Sequence, residues 1–150
     1  MLSLSQRCQY AVRAAVELAG RPRLTATSVA DIAAAQAIPA RFLEQILKGL
    51  KRAGIVGSRR GRQGGYVLLA APSQVSIGDI VRLVDGPIRP VQCIAGGGED
   101  CPLRGGCVFE GVWKATGEAI SGVLDKVSLQ DLLNKRRRPS RRRRTAARMV

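Results

Sequence analysis

Histidine is absent from all 150 residues, aromatic side chains make up 3%, and only 11 acids stand against 25 lysines and arginines. Without histidine the commonest general base near neutral pH is missing, and so are the Ser-His-Asp triad and most zinc hydrolase sites. The expected function is therefore not enzymatic. No apolar run approaches the roughly 20 residues of a membrane span, and none of signal-peptide length follows the first methionine, so no membrane partner and a cytoplasmic, nucleoid-associated location are expected. The shortage of acid leaves a formal charge of +14, which asks for a polyanionic partner. The length suits one domain with appendages, large enough to bury a core without disulfides.

What is present is unevenly placed. Lys135, Arg136, Arg137, Arg138, Arg141, Arg142, Arg143, Arg144 and Arg148 hold nine of the 25 basic residues, and no acid follows Asp131. Residues 135–150 read as a disordered Arg-rich tail, because like charges repel and no apolar surface is there to bury. The body before it carries only +5. Within the body, Gln45 to Gly78 contains Lys48, Lys51, Arg52, Arg59, Arg60 and Arg62 and not one acid. A solvated surface usually mixes signs, whereas a one-signed stretch opposes a phosphate backbone.

The apolar periodicity gives the elements. Cys8, Ala11, Val12, Ala15, Val16 and Ala19 recur at helical spacing and predict a first helix over 5–19, closed by Gly20, Arg21 and Pro22. Ser28 reads as the cap of a short second helix ending near Ala35, with Asp31 at the capping-box spacing. Pro39 reads as the first residue of a third helix reaching about Ala53, with Gly54 as its cap and Phe42, Leu43, Ile46, Leu47 and Leu50 as its buried face. Two helices joined by a tight turn, the second showing polar residues at its start, make a helix-turn-helix. Ile55–Ser58 and Tyr66–Leu69 are β-prone around a basic, glycine-rich loop, a hairpin with a basic tip. Ser76 caps a fourth helix with Ile77, Ile80, Val81 and Val84 inward. A long amphipathic helix over 108–126 exceeds what the domain's own core needs and reads as a dimerisation element, with a short helix over 128–133 after it. The expected fold is mainly α with a small β-hairpin wing, a winged helix-turn-helix plus a long dimerisation helix. Its parts are a DNA-binding domain over 1–85, a cysteine loop over 86–107, the dimerisation and short terminal helices over 108–134, and the tail.

Cys93, Cys101 and Cys107 fall within fifteen residues in a glycine-rich segment. In a reducing compartment such a cluster points to a metal or redox site. Three thiolates at loose spacing suit an iron-sulfur cluster better than a closed zinc site, which wants four ligands. The fourth ligand cannot be histidine. Glu99, Asp100, Glu110, Cys8, Gln9 and a small external molecule are the candidates.

These residues resemble the Rrf2 family of bacterial winged-helix regulators, over about positions 2 to 133. The resemblance rests on Leu4-Ser5, Gln9-Tyr10-Ala11-Val12-Arg13, Ile38-Pro39-Ala40-Arg41-Phe42-Leu43-Glu44-Gln45-Ile46-Leu47, Leu50-Lys51-Arg52-Ala53-Gly54-Ile55-Val56, Ser58-Arg59-Arg60-Gly61 and Gly64-Gly65-Tyr66. The three cysteines ahead of a long helix complete it. The resemblance implies a homodimeric transcription regulator, with repression the expected sign, that binds a double-stranded DNA operator. Pro39, Ala40, Arg41, Glu44, Gln45 and Lys48 would belong to the recognition helix, and Arg59, Arg60, Gly61 and Arg62 to a wing reaching the minor groove. It also implies a 2Fe-2S or 4Fe-4S cluster on Cys93, Cys101 and Cys107, sensing iron-sulfur status, redox or nitric oxide. Two positions depart from the family's subtypes: IscR-like members have a histidine where this chain has Glu110, and NsrR-like members a carboxylate where it has Gln9. A cluster-free regulator using cysteine oxidation or zinc is the alternative. The tail lies outside the family pattern and is expected to add sequence-independent affinity for DNA.

Overall fold

In a computed structural model, residues 4–91 and 106–137 are described, with side chains through Arg136. Helix α1 (Gln6–Ala19) is capped by Ser5, whose hydroxyl accepts from the Cys8 amide at 3.0 Å. Its inner face is Cys8, Ala11, Ala14, Ala15 and Leu18. Four of those five side chains are small, which lets neighbouring helices approach closely. Val12, Val16 and Ala19, expected on the stripe, lie at its half-buried edge, and Ala14 and Leu18 take the centre.

Helix α2 (Val29–Gln36) begins at Ser28, whose hydroxyl accepts from the Asp31 amide at 3.1 Å. Its C-terminal end closes on Ala37 in the left-handed region, φ 49° and ψ 51°. The Ala37 and Ile38 amides bond back to the carbonyls of Ala34 and Ala33, a Schellman closure. Helix α3 (Ala40–Arg52) follows with Pro39 at the cap rather than inside the helix. The ring fixes φ at −58° but leaves ψ at 127°, so Pro39 is extended while its carbonyl accepts from Phe42 and Leu43. At the far end Ala53 is the cap and Gly54 follows at φ 74°, with the Gly54 and Ile55 amides bonding to Lys51 and Leu50.

Leu43, Ile46, Leu47 and Leu50 of α3 are buried as expected, but Phe42 is 59% exposed. The buried quartet follows the i, i+3, i+4, i+7 rule. Phe42 sits about 100° around the helix from Leu43 and turns out of that stripe.

Strands β1 (Val56–Arg59) and β2 (Gly65–Leu68) pair antiparallel, Val56 opposite Leu68 and Arg59 opposite Gly65. Thr27 adds a bridge to Tyr66, with amide-to-carbonyl distances of 2.9 and 2.8 Å, and hooks the wing to the segment before α2. Gly65 makes this possible, because a Cβ there would overlap the Thr27 carbonyl. A short 3₁₀ turn over 72–74 leads to helix α4 (Ile77–Asp85), opened by a full capping box between Ser76 and Asp79. Ile77, Ile80 and Val81 of α4 are buried and Val84 is half-buried.

Helix α5 (Glu110–Asp125) is fastened to α4 by Arg82, which reaches Asp125 at 2.7 Å and Asp79 at 3.2 Å. Helix α6 (Leu129–Arg137) follows α5 across 126–128. It returns to pack on α1, with Leu129 fully buried in the common core and Leu133 against Gly20. The Val75 and Val127 carbonyls accept from Leu129 and Ile77, pinning this return. Helix α6 also runs past the expected end at 133, so Lys135, Arg136 and Arg137 are helical rather than part of a disordered tail.

Candidate nucleic-acid interface and cysteine segment

The outer face of α3 is set by its inner one. With Leu43, Ile46, Leu47 and Leu50 held in the core, Arg41, Glu44, Gln45 and Lys48 emerge together on the opposite side. Their spacing is again i, i+3, i+4 and i+7, so the four form one exposed row. Pro39 and Ala40 are exposed at its N-terminal end. Arg, Gln and Glu are the side chains that match base edges, Arg and Gln by bidentate bonds to guanine and adenine and Glu by accepting from cytosine.

The wing continues this surface. Arg59 ends β1, Arg60, Gly61 and Arg62 form the tip, and all four are exposed. The tip is closed by the Gly64 amide on the Gly61 carbonyl at 2.9 Å, and Gly61 takes φ 112°. Lys51, which the sequence reading did not single out as a contact, joins helix to wing by donating to Ser58 Oγ at 2.6 Å. Among the described residues the ion pairs use only Glu17, Arg21, Asp79, Arg82, Asp125 and Arg136. Arg41, Lys48, Arg59, Arg60 and Arg62 therefore keep their charge for an external anion.

The described residues that flank the cysteine segment meet α5. Before it, Pro90 and the Ile88 carbonyl lie against Gly117, the one buried residue of α5 and a position where a Cβ would press on the proline ring. After it, Cys107 is half-buried and its carbonyl accepts from the Glu110 amide at 3.2 Å, at the start of the same helix. Cys93, Cys101, Glu99 and Asp100 lie outside the described residues. Among the described residues no three metal-binding side chains come together.

Of the remaining candidates for a fourth ligand, Glu110 is exposed in the first turn of α5, and Gln9 is exposed on α1 with its Nε2 donating to the Leu4 carbonyl at 3.1 Å. Cys8 is different. It is fully buried, and burial together with the nearby Asp85 carboxylate pushes its thiol up to about 11. Its side chain belongs to the core cluster, whereas Glu110 and Gln9 face outward.

Helix α5 leaves much apolar surface uncovered. Val112 and Val123 are 58% and 65% exposed, and Val108 and Phe109 just before it 84% and 56%. Phe109 and Trp113 stack at 6.4 Å between centroids at the N-terminal end. Among the described residues, no helix is long and apolar enough to cross a membrane.

Comparison with known proteins agrees with this geometry. Residues 4–135 match the model of a family described as Rrf2, iron-dependent transcriptional regulator. An rrf2-like HTH-type transcriptional regulator of Rhodobacter capsulatus is 38% identical over 137 residues, covering 87% of this chain and 91% of the relative. The structure of CymR, the global cysteine regulator of Bacillus subtilis, superposes with a TM-score of 0.76 at 34% identity, over 90% of this chain and 98% of that one. The structure of T. potens IscR does so with a TM-score of 0.73 at 31% identity, over 90% and 88%. These relatives are regulators of transcription rather than enzymes. The winged helix, its unpaired basic face and the match over 4–135 together show that the chain belongs to the Rrf2 family of transcription regulators.

Proposed function

We propose that the chain acts as a homodimeric, iron-sulfur-dependent repressor that reads an approximately palindromic operator. The observation that carries the proposal is the position of the residues that flank the cysteine segment: Pro90 lies against the middle of α5, and Cys107 lies just before the start of the same helix. Cys93, Cys101 and Cys107 are the only thiols left once Cys8 is assigned to the core. Three soft ligands without a histidine fit an iron-sulfur cluster with an oxygen or exogenous fourth ligand, Glu110 and Gln9 being exposed candidates. When bound, the cluster supplies a redox- and nitric-oxide-responsive centre. The family description as iron-dependent supports this reading.

The chain's own part is mechanical. A change in how the cysteine segment is held loads α5 at Gly117 and at Cys107. The Arg82 pairs pass that load to α4, which packs on α1 and α3. The uncovered valines and Phe109 of α5 suit a second copy of this chain, which would set two α3 rows and two wings on one duplex.

The cluster-free alternative, thiol oxidation or zinc, draws on the likeness to the cysteine regulator CymR. Operator binding by the anaerobic protein before and after iron is stripped decides between them. The proposal expects affinity or site choice to change at least tenfold, and equal binding in both states would favour the alternative. Arg41→Glu and Arg60→Glu should each abolish sequence-specific binding while leaving iron content unchanged; retained specificity would remove the assigned docking face.

A further inference from the structure

The C-terminal half of α3, the last turn of α4 and the first turn of α1 enclose a groove of about 400 Å³. Buried Ile46 and Leu50 line it, with half-buried Val84 and exposed Leu83 and Ala53 beside them. Gly49 leaves it open, because a Cβ built there meets no atom within 4 Å. The charged residues of the lining are Arg7 and Arg52, both exposed, and the lining contains no acid. Among the described residues neither arginine forms an ion pair. Asp85, next to Val84 in the chain, is engaged elsewhere: both its oxygens accept from Ser5, and it lines a different cavity.

An apolar hollow of this size with two guanidinium groups and no carboxylate matches a small amphipathic anion. The apolar body of such a molecule would cover Leu83, Val84 and the aliphatic side chains of α3, and its acid group would take charge-assisted N–H bonds from the arginines. A phosphate backbone fits the groove less well, since it has no apolar body to set against leucine, isoleucine and valine. A neutral apolar molecule would leave both arginines unused.

We infer that this groove is a binding site for a small apolar anion, an aromatic or branched aliphatic carboxylate, and that its occupancy opposes operator reading. The second half of the inference rests on the operator-reading proposal above. Arg52 stands four residues beyond Lys48, on the side of α3 that carries the exposed row. An acid group held there removes a positive charge from the face that meets phosphate. Linkage makes the effect mutual: the factor by which the anion lowers operator affinity is the factor by which operator lowers affinity for the anion.

The test measures binding of β-naphthoate to the full chain by equilibrium dialysis at constant ionic strength, with β-naphthylmethanol as the same ring system without the charge. The acid should bind at least about tenfold more tightly than the alcohol, and Arg7→Gln and Arg52→Gln should each weaken it about fivefold. Gly49→Leu fills the groove from a helical position that glycine disfavours, so it should fold at least as well as the parent and lose the site. Arginines elsewhere in the chain bind the acid alike in parent and variant, so this difference reports the groove. Equal binding of acid and alcohol, or binding that Gly49→Leu leaves intact, would overturn the site. So would no binding at all, the outcome expected if a second copy of the chain or an acidic peptide occupies the groove. On duplex selected from a random pool by the full chain, saturating β-naphthoate should lower affinity at least about threefold in the parent and leave Gly49→Leu unaffected. Unchanged affinity in the parent would overturn the coupling and leave the site standing. A selection that returns no preferred sequence would instead count against operator reading, while the dialysis result stands on its own.

Discussion

Glu17 carries a carboxylate into a site where its side chain is only 8% exposed. Burial alone would raise its pKa, but the Gln36 hydrogen bond, the Arg21 charge and the Arg136 contact outweigh burial and hold it below its ordinary value. A folded-state value below the unfolded one means that the folded protein binds fewer protons. The node's stabilisation is therefore complete above about pH 4.5 and is lost as pH falls from there through the lowered folded value. Glu17→Gln should lower stability at neutral pH by about 1–3 kcal/mol and flatten the acid limb of a urea-denaturation series, since two arginines would lose their partner. An unchanged acid limb would place the acid sensitivity elsewhere. Ala37 makes the opposite case: its left-handed backbone costs a residue with a Cβ what glycine avoids. Ala37→Gly should raise the denaturation midpoint, by up to about 1 kcal/mol with an unchanged slope, the gain being limited by the greater freedom of glycine in the unfolded chain. Neither residue was legible as special in the sequence. Glu17 was one of several polar positions on α1, with Gln6, Arg7, Gln9 and Arg13, and its partners Gln36 and Arg136 lie 19 and 119 residues away.

The helix-turn-helix was the most legible element. The core face of α3 follows from spacing alone, and the same spacing dictates which residues remain outside to meet DNA. Phe42 marks the limit of that logic, because hydrophobicity placed it inward while helix geometry turns it out. The wing was legible from its two β-prone runs and basic tip, but its attachment through Thr27 was not, since one bridge between distant residues leaves no local pattern. Gly65 is the residue on which that attachment depends. Gly65→Ala should separate the wing from Thr27, cost about 1–3 kcal/mol in denaturation and weaken operator binding even though no charge is changed. Normal stability with normal binding would show that the bridge is dispensable. Helix α6 was half legible. Leu129 and Leu132–Leu133 signalled a helix, but the basic run after them read as tail, and only the packing of α6 on α1 shows that Lys135 and Arg136 are structural.

At the scale of the molecule, charge and thiols divide the work. The exposed basic side chains of α3 and the wing have no ion-pair partner among the described residues, the uncovered apolar residues of α5 suit the proposed second chain, and the residues that flank the cysteine segment, Pro90 and Cys107, meet α5 at its middle and at its start. The absence of histidine, first an argument against catalysis, ends as the reason why the proposed cluster would take its fourth ligand from another kind of side chain or from an outside molecule. One anaerobic native mass spectrum of the full chain tests these assignments together. The account predicts a dimer of the 16.0 kDa chain carrying one 2Fe-2S or 4Fe-4S cluster per protomer. A metal-free or zinc-bearing species, or a monomer under native conditions, would contradict it.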